Sequence, residues 1–457
     1  MSKVNSIVEH LLLAIQNGNL KSGQKLMSIR VAREHFNVSK NTMIDVYDRL
    51  VSLGHITARP GSGYYVSTLS KKQNRSSTTH IAEAVDAISL LREQLNQTYR
   101  VRVGDGRPPP SWMSQFDFDM RLKIPNDSKY GYGHPMGFEP LREAIAQNLI
   151  ERSIQASADQ VLLTYGANHA MDLVIKQFLS PGDTVLVDSP GYYPLFAKLK
   201  LYKIKMIGVR RGSTGPDIED LEDKARQHRA KLFFTQTLGH NPTGGCATLA
   251  TQYQVLKLAE KYDFRVVEND AFADLLPASM PRMAGLDQLD RILYIGTFSK
   301  TLSASFRVGY VAGRQALIDS LCNIKMLTVV TSSDYLERWL YSLIANGQYL
   351  KHLRRLRPMV EQASAQALNN FSSLGFHVPY QSEGSYYMWL ELPAHLDDIQ
   401  VARKAAEEGI FLAPGTVFYP EKKSSQKPAL RINVAYASDP DFLTFLGKLR
   451  AGAIGND

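Results

Sequence analysis

Ile292-Leu293-Tyr294-Ile295-Gly296-Thr297-Phe298-Ser299-Lys300 reads as a short buried strand that runs into a polar end, and Arg307-Val308-Gly309-Tyr310 begins seven residues beyond the lysine. In α/β sheets ligands bind beyond the carboxyl ends of strands, which is where this lysine falls. A lysine flanked by hydroxyls, with an arginine close behind, suits a phosphorylated aldehyde. The amine can form a Schiff base, while Thr297, Ser299 and Arg307 take the phosphate. Taken alone, the same short pattern also fits a surface lysine.

Working outward, Val161-Leu162-Leu163, Thr184-Val185-Leu186-Val187, Leu232-Phe233-Phe234 and Arg265-Val266-Val267 are further strand candidates. Helical patterns such as 167–178 and 250–262 lie between them, an alternation that predicts an α/β unit with a largely parallel sheet. Polar clusters again follow the strands. Gly166-Ala167-Asn168 opens a helix, whose first N–H groups and positive dipole end attract a phosphate, although a plain strand-to-helix turn looks the same. Asp188-Ser189-Pro190-Gly191-Tyr192-Tyr193 could lay an aromatic ring over a planar cofactor, or simply pack. His240-Asn241-Pro242-Thr243-Gly244 offers an amide able to reach a phenolic oxygen. Arg431 stands in the apolar strand Leu430-Arg431-Ile432-Asn433-Val434, where an unpaired charge is costly, so a carboxylate from ligand or protein is expected beside it.

The first seventy residues follow a different pattern. Ile7, Val8, Leu11, Leu12 and Ile15 recur at helical spacing. Ser28 can cap a second helix and Ser39 a third, which carries Met43, Val46, Tyr47 and Leu50. Ile56 to Arg59 and Tyr64 to Val66 then alternate around Pro60-Gly61-Ser62-Gly63, a hairpin turn. Three helices and a ribbon make a winged helix-turn-helix. Ser39, Lys40, Asn41 and Thr42 lie at the start of the third helix, the end that meets base edges in the major groove. Arg30, Arg59 and Gly61 are placed for the phosphate backbone. Charge agrees with this: residues 1–75 hold eleven Lys/Arg against four acids, a +7 excess out of +9 for the whole chain. Such asymmetry fits a module for a polyanion joined to a nearly neutral partner, or a solvated basic face.

A chain of 457 residues exceeds one hydrophobic core, and 44% hydrophobic with 21% charged residues excludes a mostly disordered or fibrous chain. No run approaches a membrane span, and the N-terminal apolar run is broken by Glu9 and His10, so neither a membrane segment nor a signal peptide is expected and the location is taken as cytoplasmic. Cys246 and Cys322 have no metal-ligand spacing, and no metal is expected. Residues 69–79 read as a polar linker, and Ile81, Val85, Ile88, Leu91 and Leu95 as one face of a helix leading into the second unit. The expected division is therefore 1–68, 69–100 and 101–457.

Residues Gly23 to Arg30, Asn37 to Thr42, Tyr47 and Arg59-x-Gly61-Ser62-Gly63-x-Tyr65-Val66 resemble the GntR family of winged-helix regulators, with Met27 where the family usually has proline. From about 105 to 450 the clusters, in this order and spacing, resemble the fold-type-I aminotransferases that use pyridoxal 5'-phosphate. That resemblance implies an α/β domain with a mainly parallel central sheet and a smaller C-terminal α+β part. It also implies that Lys300 carries the cofactor, that Ala167, Asn168, Thr297, Ser299 and Arg307 hold its phosphate, and that Tyr192 stacks on the ring. Asn241 would bond the ring hydroxyl and Arg431 a substrate or effector carboxylate, while Tyr132 resembles a tyrosine that reaches the neighbouring subunit's phosphate, which implies a homodimer. Where the family's strand ends in an acidic residue this chain has Val266-Val267-Glu268-Asn269-Asp270-Ala271-Phe272. Aligning Phe272 with the family's aromatic puts Asn269 against the ring nitrogen; a slip of one residue would give Asp270 the place, and the two side chains face opposite sides of a strand. A GntR head on an aminotransferase body is the architecture of MocR-type regulators. It implies double-stranded DNA as partner and, as effector, an amine, an amino acid or pyridoxal phosphate itself. The alternative is an aminotransferase with real turnover and an accessory DNA-binding head.

Overall fold

The computed structural model describes residues 3–59, 61–67, 87–95, 98–113, 131–380, 384–421 and 426–452. The chain divides into two units, residues 1–79 and 80–457. The expected linker at 69–79, together with Ile81 and Val85, lies outside the described residues.

In the first unit α1 (Lys3–Gln16), α2 (Ile29–His35) and α3 (Lys40–Ser52) precede the strands β1 (Ile56–Arg59) and β2 (Gly63–Val66). Short polar side chains start the second and third helices. Ser28 Oγ accepts the Val31 N–H at 3.4 Å and Ser39 Oγ the Thr42 N–H at 3.1 Å, satisfying donors that the helices cannot. Asn37 takes the left-handed conformation (φ 50°) between α2 and α3, which Asn tolerates better than most residues. Met43, Val46, Tyr47 and Leu50 of α3 are buried against Ile7, Val8 and Leu11 of α1. The Tyr47 hydroxyl donates to the Met27 carbonyl at 2.8 Å, tying α3 to the entry of α2. The ribbon pairs antiparallel, Ile56 with Val66 and Arg59 with Gly63, and Gly61 (φ 71°) and Gly63 (φ 109°) turn it.

The second unit is built on an eight-stranded sheet in the order β3-β10-β9-β8-β7-β4-β5-β6. Its strands are β3 (Val161–Thr164), β4 (Thr184–Ser189), β5 (Lys205–Gly212), β6 (Gly215–Pro216), β7 (Leu232–Thr235), β8 (Arg265–Asp270), β9 (Ile292–Thr297) and β10 (Gly309–Ala312). The central pairs β5–β4–β7–β8–β9 are parallel, whereas β10 runs against both β3 and β9. Every residue of β3, β7 and β10 is buried, as expected of strands covered on both faces. A smaller antiparallel sheet, β11 (Tyr387–Glu391), β13 (Ala429–Asn433) and β12 (Ala413–Pro414), makes the C-terminal part. Among the described residues no helix is long and apolar enough to cross a membrane.

The helix expected before this unit spans Ala87–Leu95, and its buried side differs from the predicted one. Ile88 and Leu95 are 56% and 70% exposed, while Leu90 is fully buried in the core with Val185 and Leu199. Gln94 Nε2 donates to the Tyr193 hydroxyl at 2.7 Å on the same side. A helix this short is oriented by its contacts with the helix Tyr193–Leu201, and the apolar stripe read from the sequence does not decide it.

Candidate functional site

One cleft gathers Ala167, Asn168, Tyr192, Asn241, Asn269, Thr297, Ser299, Lys300 and Arg307, joined by Gln236, Phe272 and Tyr387. These residues lie at or beside the ends of six strands, β4, β7, β8, β9, β10 and β11, and on the helix Ala167–Phe178, so only the folded unit brings them together. Gly166 (φ 75°) caps that helix, and the first two N–H groups, those of Ala167 and Asn168, have no intrahelical acceptor. Gly309 allows the close approach here: a Cβ on it would lie 2.7 Å from Gly166 Cα and 2.9 Å from Ala167 N. Arg307 Nη2 donates to the Tyr165 carbonyl at 2.9 Å, which holds the guanidinium beside the same helix start. Thr297 Oγ1 donates to Ser299 Oγ at 3.0 Å and accepts from the Ser299 N–H at 3.3 Å. A cation, two hydroxyls and a helix N-terminus thus line one end of the cleft.

Lys300 is half-buried. Its Nζ donates to the Gly106 carbonyl and to the Tyr387 hydroxyl at 3.1 Å, and that hydroxyl donates to the same carbonyl at 2.9 Å. Tyr387 was not among the expected site residues. It lies on β11, 87 residues from Lys300, and no local pattern marks it. Its ring packs edge-on to Phe272 at 5.3 Å and lies 4.7 Å from the Arg431 guanidinium. Tyr192 is partly buried, and desolvation pushes its phenol up to about 12, so it stays neutral and serves as an aromatic wall.

Arg431 is 1% exposed. It donates to the Gly104 carbonyl at 2.7 Å and to Asn241 Oδ1 at 3.3 Å, and its Nε is buried without a partner. No carboxylate among the described residues pairs with it, so none of these supplies the carboxylate expected from the sequence. On β8 the side chains alternate. Asn269 lines the cleft, whereas Asp270 accepts from Arg282 Nε at 2.6 Å and from the Tyr294 hydroxyl at 2.7 Å, away from it. Tyr132 is 84% exposed and is not part of this chain's cleft.

The set fits a phosphorylated pyridine aldehyde. It offers an anion cradle at one end, an amine within the cleft, aromatic walls from Tyr192 and Phe272, and amides from Asn241 and Asn269. The buried, unpaired Arg431 Nε adds a donor suited to a carboxylate.

In the first unit Arg30, Ser39, Lys40, Asn41, Arg59 and Gly61 are all exposed, and Thr42 is half-buried. Ser39 and Thr42 bond each other, Oγ to Oγ1 at 2.8 Å, so both hydroxyls are engaged at the helix start. The Arg59 guanidinium lies 4.4 Å from the Tyr65 ring and the Tyr65 hydroxyl bonds Ser62 at 2.7 Å, which gives the ribbon tip a fixed shape.

The sequence profile of the aminotransferase class I and II family matches residues 98–449, and that of the gntR family of bacterial regulatory proteins matches residues 3–66. Over nearly the whole length the chain is similar to an HTH-type transcriptional regulator, YdcR of Escherichia coli strain K12, 28% identical over 435 residues and 92% of each chain. It is also similar to the HTH-type regulator YdfD of Bacillus subtilis strain 168, 25% identical over 96% of this chain and 94% of that one. Among solved structures, the kynurenine aminotransferase of Pyrococcus horikoshii in complex with PMP superimposes with a TM-score of 0.71 at 25% identity, over 80% of this chain and 93% of that one.

Proposed function

The chain belongs to the aminotransferase class I and II family and carries a gntR-type head, the arrangement of MocR-type regulators, and we propose that its cleft senses an amino compound and thereby governs how the head engages DNA. It is a DNA-binding transcriptional regulator whose cofactor is pyridoxal phosphate. When bound, that cofactor supplies an aldehyde that reacts with amines and a ring that can withdraw electrons.

In this reading Lys300 holds the aldehyde carbon, and Ala167, Asn168, Thr297, Ser299 and Arg307 hold the phosphate. Tyr192 covers one face of the ring, Asn241 bonds its hydroxyl and Asn269 meets its nitrogen. Tyr387, bonded to Lys300 Nζ, keeps the amine directed at the cleft and is placed to exchange a proton with it. Arg431 binds the effector's carboxylate, and Tyr132 is left for the phosphate site of a second subunit in a homodimer. In the head, Arg30, Arg59 and the Gly61 turn grip phosphates, while Lys40, Asn41 and the helix start set by Ser39 and Thr42 face the bases.

The observation that carries the reading is Arg431: a buried guanidinium with, among the described residues, no partner for its Nε and no carboxylate beside it, in a chain that also carries a full winged helix. An aminotransferase with real turnover also needs Lys300 and the anion cradle. Asn269 speaks against it, because an electron-withdrawing ring works best with a protonated nitrogen, and a neutral amide stabilises that proton less than a carboxylate does. The test is to map the genomic sites bound with and without pyridoxal phosphate, and to follow the cofactor spectrum as amino compounds are added. Cofactor-dependent occupancy, spectral change with little transamination, and faster turnover in Asn269→Asp are expected. Half-transamination at an enzyme's rate by the unaltered protein would reverse the conclusion.

A further inference from the structure

A small cavity of about 20 Å³ reaches Asn269; Asp188, His240, Thr235, Gln236 and Asn269 make its polar wall, and the rest of its wall is apolar and aromatic. Three buried polar atoms among these residues have no hydrogen-bond partner of good geometry among the described residues: Asp188 Oδ1, Asn269 Oδ1 and His240 Nε2, whose nearest acceptor, Asp188 Oδ2, stands at 3.4 Å. The other polar groups of the cavity are committed. Asp188 Oδ2 accepts from Thr235 Oγ1 at 2.8 Å, from Arg211 Nη1 at 3.2 Å and from the Gln236 N–H at 3.2 Å. Gln236 Oε1 accepts the Asn241 N–H at 3.0 Å, and its Nε2 donates to the Asn269 main-chain carbonyl at 3.5 Å.

The protonation states follow from the partners. Burial, reinforced by Arg211, drives the His240 imidazole down to about 4, so it is neutral at pH 7. The ionised Asp188 carboxylate stands 3.4 Å from His240 Nε2, which favours the tautomer with its proton on Nε2, and Thr243 Oγ1, 2.9 Å from Nδ1, can then donate there. Burial alone would raise Asp188, but Arg211, His240 and Thr235 outweigh it and keep the carboxyl ionised. The polar residues of the wall therefore offer one N–H donor and two oxygen acceptors that no well-formed hydrogen bond among the described residues uses.

We propose that one water molecule occupies this cavity, accepting from His240 Nε2 and donating to Asp188 Oδ1 and Asn269 Oδ1, and that it fixes the Asn269 amide with its NH2 group toward the cleft. Three hydrogen bonds are typical of a buried water, and the volume suffices for one. In this arrangement each proton of the water meets an acceptor. With the amide turned over, the water would accept from both His240 and Asn269 and one of its protons would be left without a partner. Asp188 and His240 are thus positioning residues for Asn269. The consequence rests on the pyridoxal-phosphate reading: the cleft floor offers a donor to the ring nitrogen, which is then held unprotonated as an acceptor. Such a ring withdraws electrons weakly, which suits a cleft that binds its effector without consuming it.

The test uses the full-length protein loaded with cofactor labelled at the ring nitrogen, and reads that nitrogen by NMR. An unprotonated pyridine signal is expected, moving to the pyridinium range in Asn269→Asp. In His240→Leu the leucine side chain fills the cavity and displaces the water, so the Asn269 amide should turn its NH2 group to Asp188 Oδ1 and also raise the pyridinium fraction, while His240→Gln should restore the original signal. A protonated ring nitrogen in the unaltered protein overturns the proposal whatever the variants do. A high-resolution crystal structure, with or without cofactor, should show the water within hydrogen-bond distance of all three atoms, and a dry cavity would refute it. Borohydride fixation reports loading separately, so a chain that does not load defeats the cofactor reading and still leaves the water to be decided in the unloaded crystal.

Discussion

The two units hold their functional groups in opposite ways. In the head, Arg30, Lys40, Asn41 and Arg59 are exposed on a small scaffold whose interior is ordinary apolar packing. In the second unit Asn241, Asn269 and Arg431 are nearly or fully buried, and Lys300 and Arg307 are tied by hydrogen bonds to neighbouring backbone. On the proposed function the head therefore works through a screened field over its surface, where each group contributes modestly and salt matters. Apart from the exposed Arg307 and the half-buried Lys300, the cleft works on this reading through desolvated groups, where one substitution leaves a buried partner unsatisfied.

That contrast breaks most visibly at Lys300. Lys300→Ala should abolish reductive fixation of pyridoxal phosphate altogether while the anion cradle keeps weak reversible binding, and a labelled peptide elsewhere in the chain would contradict the assignment. Asp270→Asn removes the carboxylate from the buried Arg282 and should lower stability by about 3–5 kcal/mol in denaturant unfolding. Arg431→Met has a different profile. No carboxylate among the described residues is orphaned, but the Gly104 carbonyl and Asn241 Oδ1 lose a donor, so stability should fall by only about 1–3 kcal/mol, whereas affinity for carboxylate-bearing effectors should fall by about 2–5 kcal/mol in spectral titration. In the head the effects should be smaller and of another kind. Asn41→Ala should relax base preference by about 1–3 kcal/mol, whereas Arg30→Ala or Arg59→Ala should weaken all sequences alike and lower the salt slope by about 1 each. Ser39→Ala removes the cap of α3 and should cost about 1 kcal/mol in head stability, read by melting. Equal salt dependence in both sets of variants would erase the distinction.

The same difference decides what was legible in the sequence. The head is built from local signals. Ser28 and Ser39 cap within three residues, and Gly61 and Gly63 turn the ribbon where the pattern places the turn. The strands Val161–Thr164, Thr184–Ser189, Leu232–Thr235, Arg265–Asp270 and Ile292–Thr297 are apolar runs that announce themselves. Lys300, Thr297, Ser299 and Arg307 share one short stretch, and their common cleft is readable from spacing and resemblance. Tyr387, Gly106 and the Asp188–His240 pair are not, because each acquires its part only when strands distant in sequence close on the same space. The helix Ala87–Leu95 shows the converse: a clear apolar stripe at 88, 91 and 95 is overruled by the docking of Leu90 and Gln94. Strand alternation on β8 needed only the rule that neighbours point apart, and it leaves Asn269 in the cleft and Asp270 with Arg282.

The central claim is that the cleft governs the head, and the direct measurement is the affinity of the full-length protein for the DNA beside its own gene, at one fixed salt concentration, with and without saturating pyridoxal phosphate. The account predicts that loading Lys300 changes that affinity about 5-fold or more, the lower end of ordinary coupling between two sites, and that an amino compound shifts it again. Superimposable binding curves, with the cofactor shown by borohydride fixation to sit on Lys300, would contradict it.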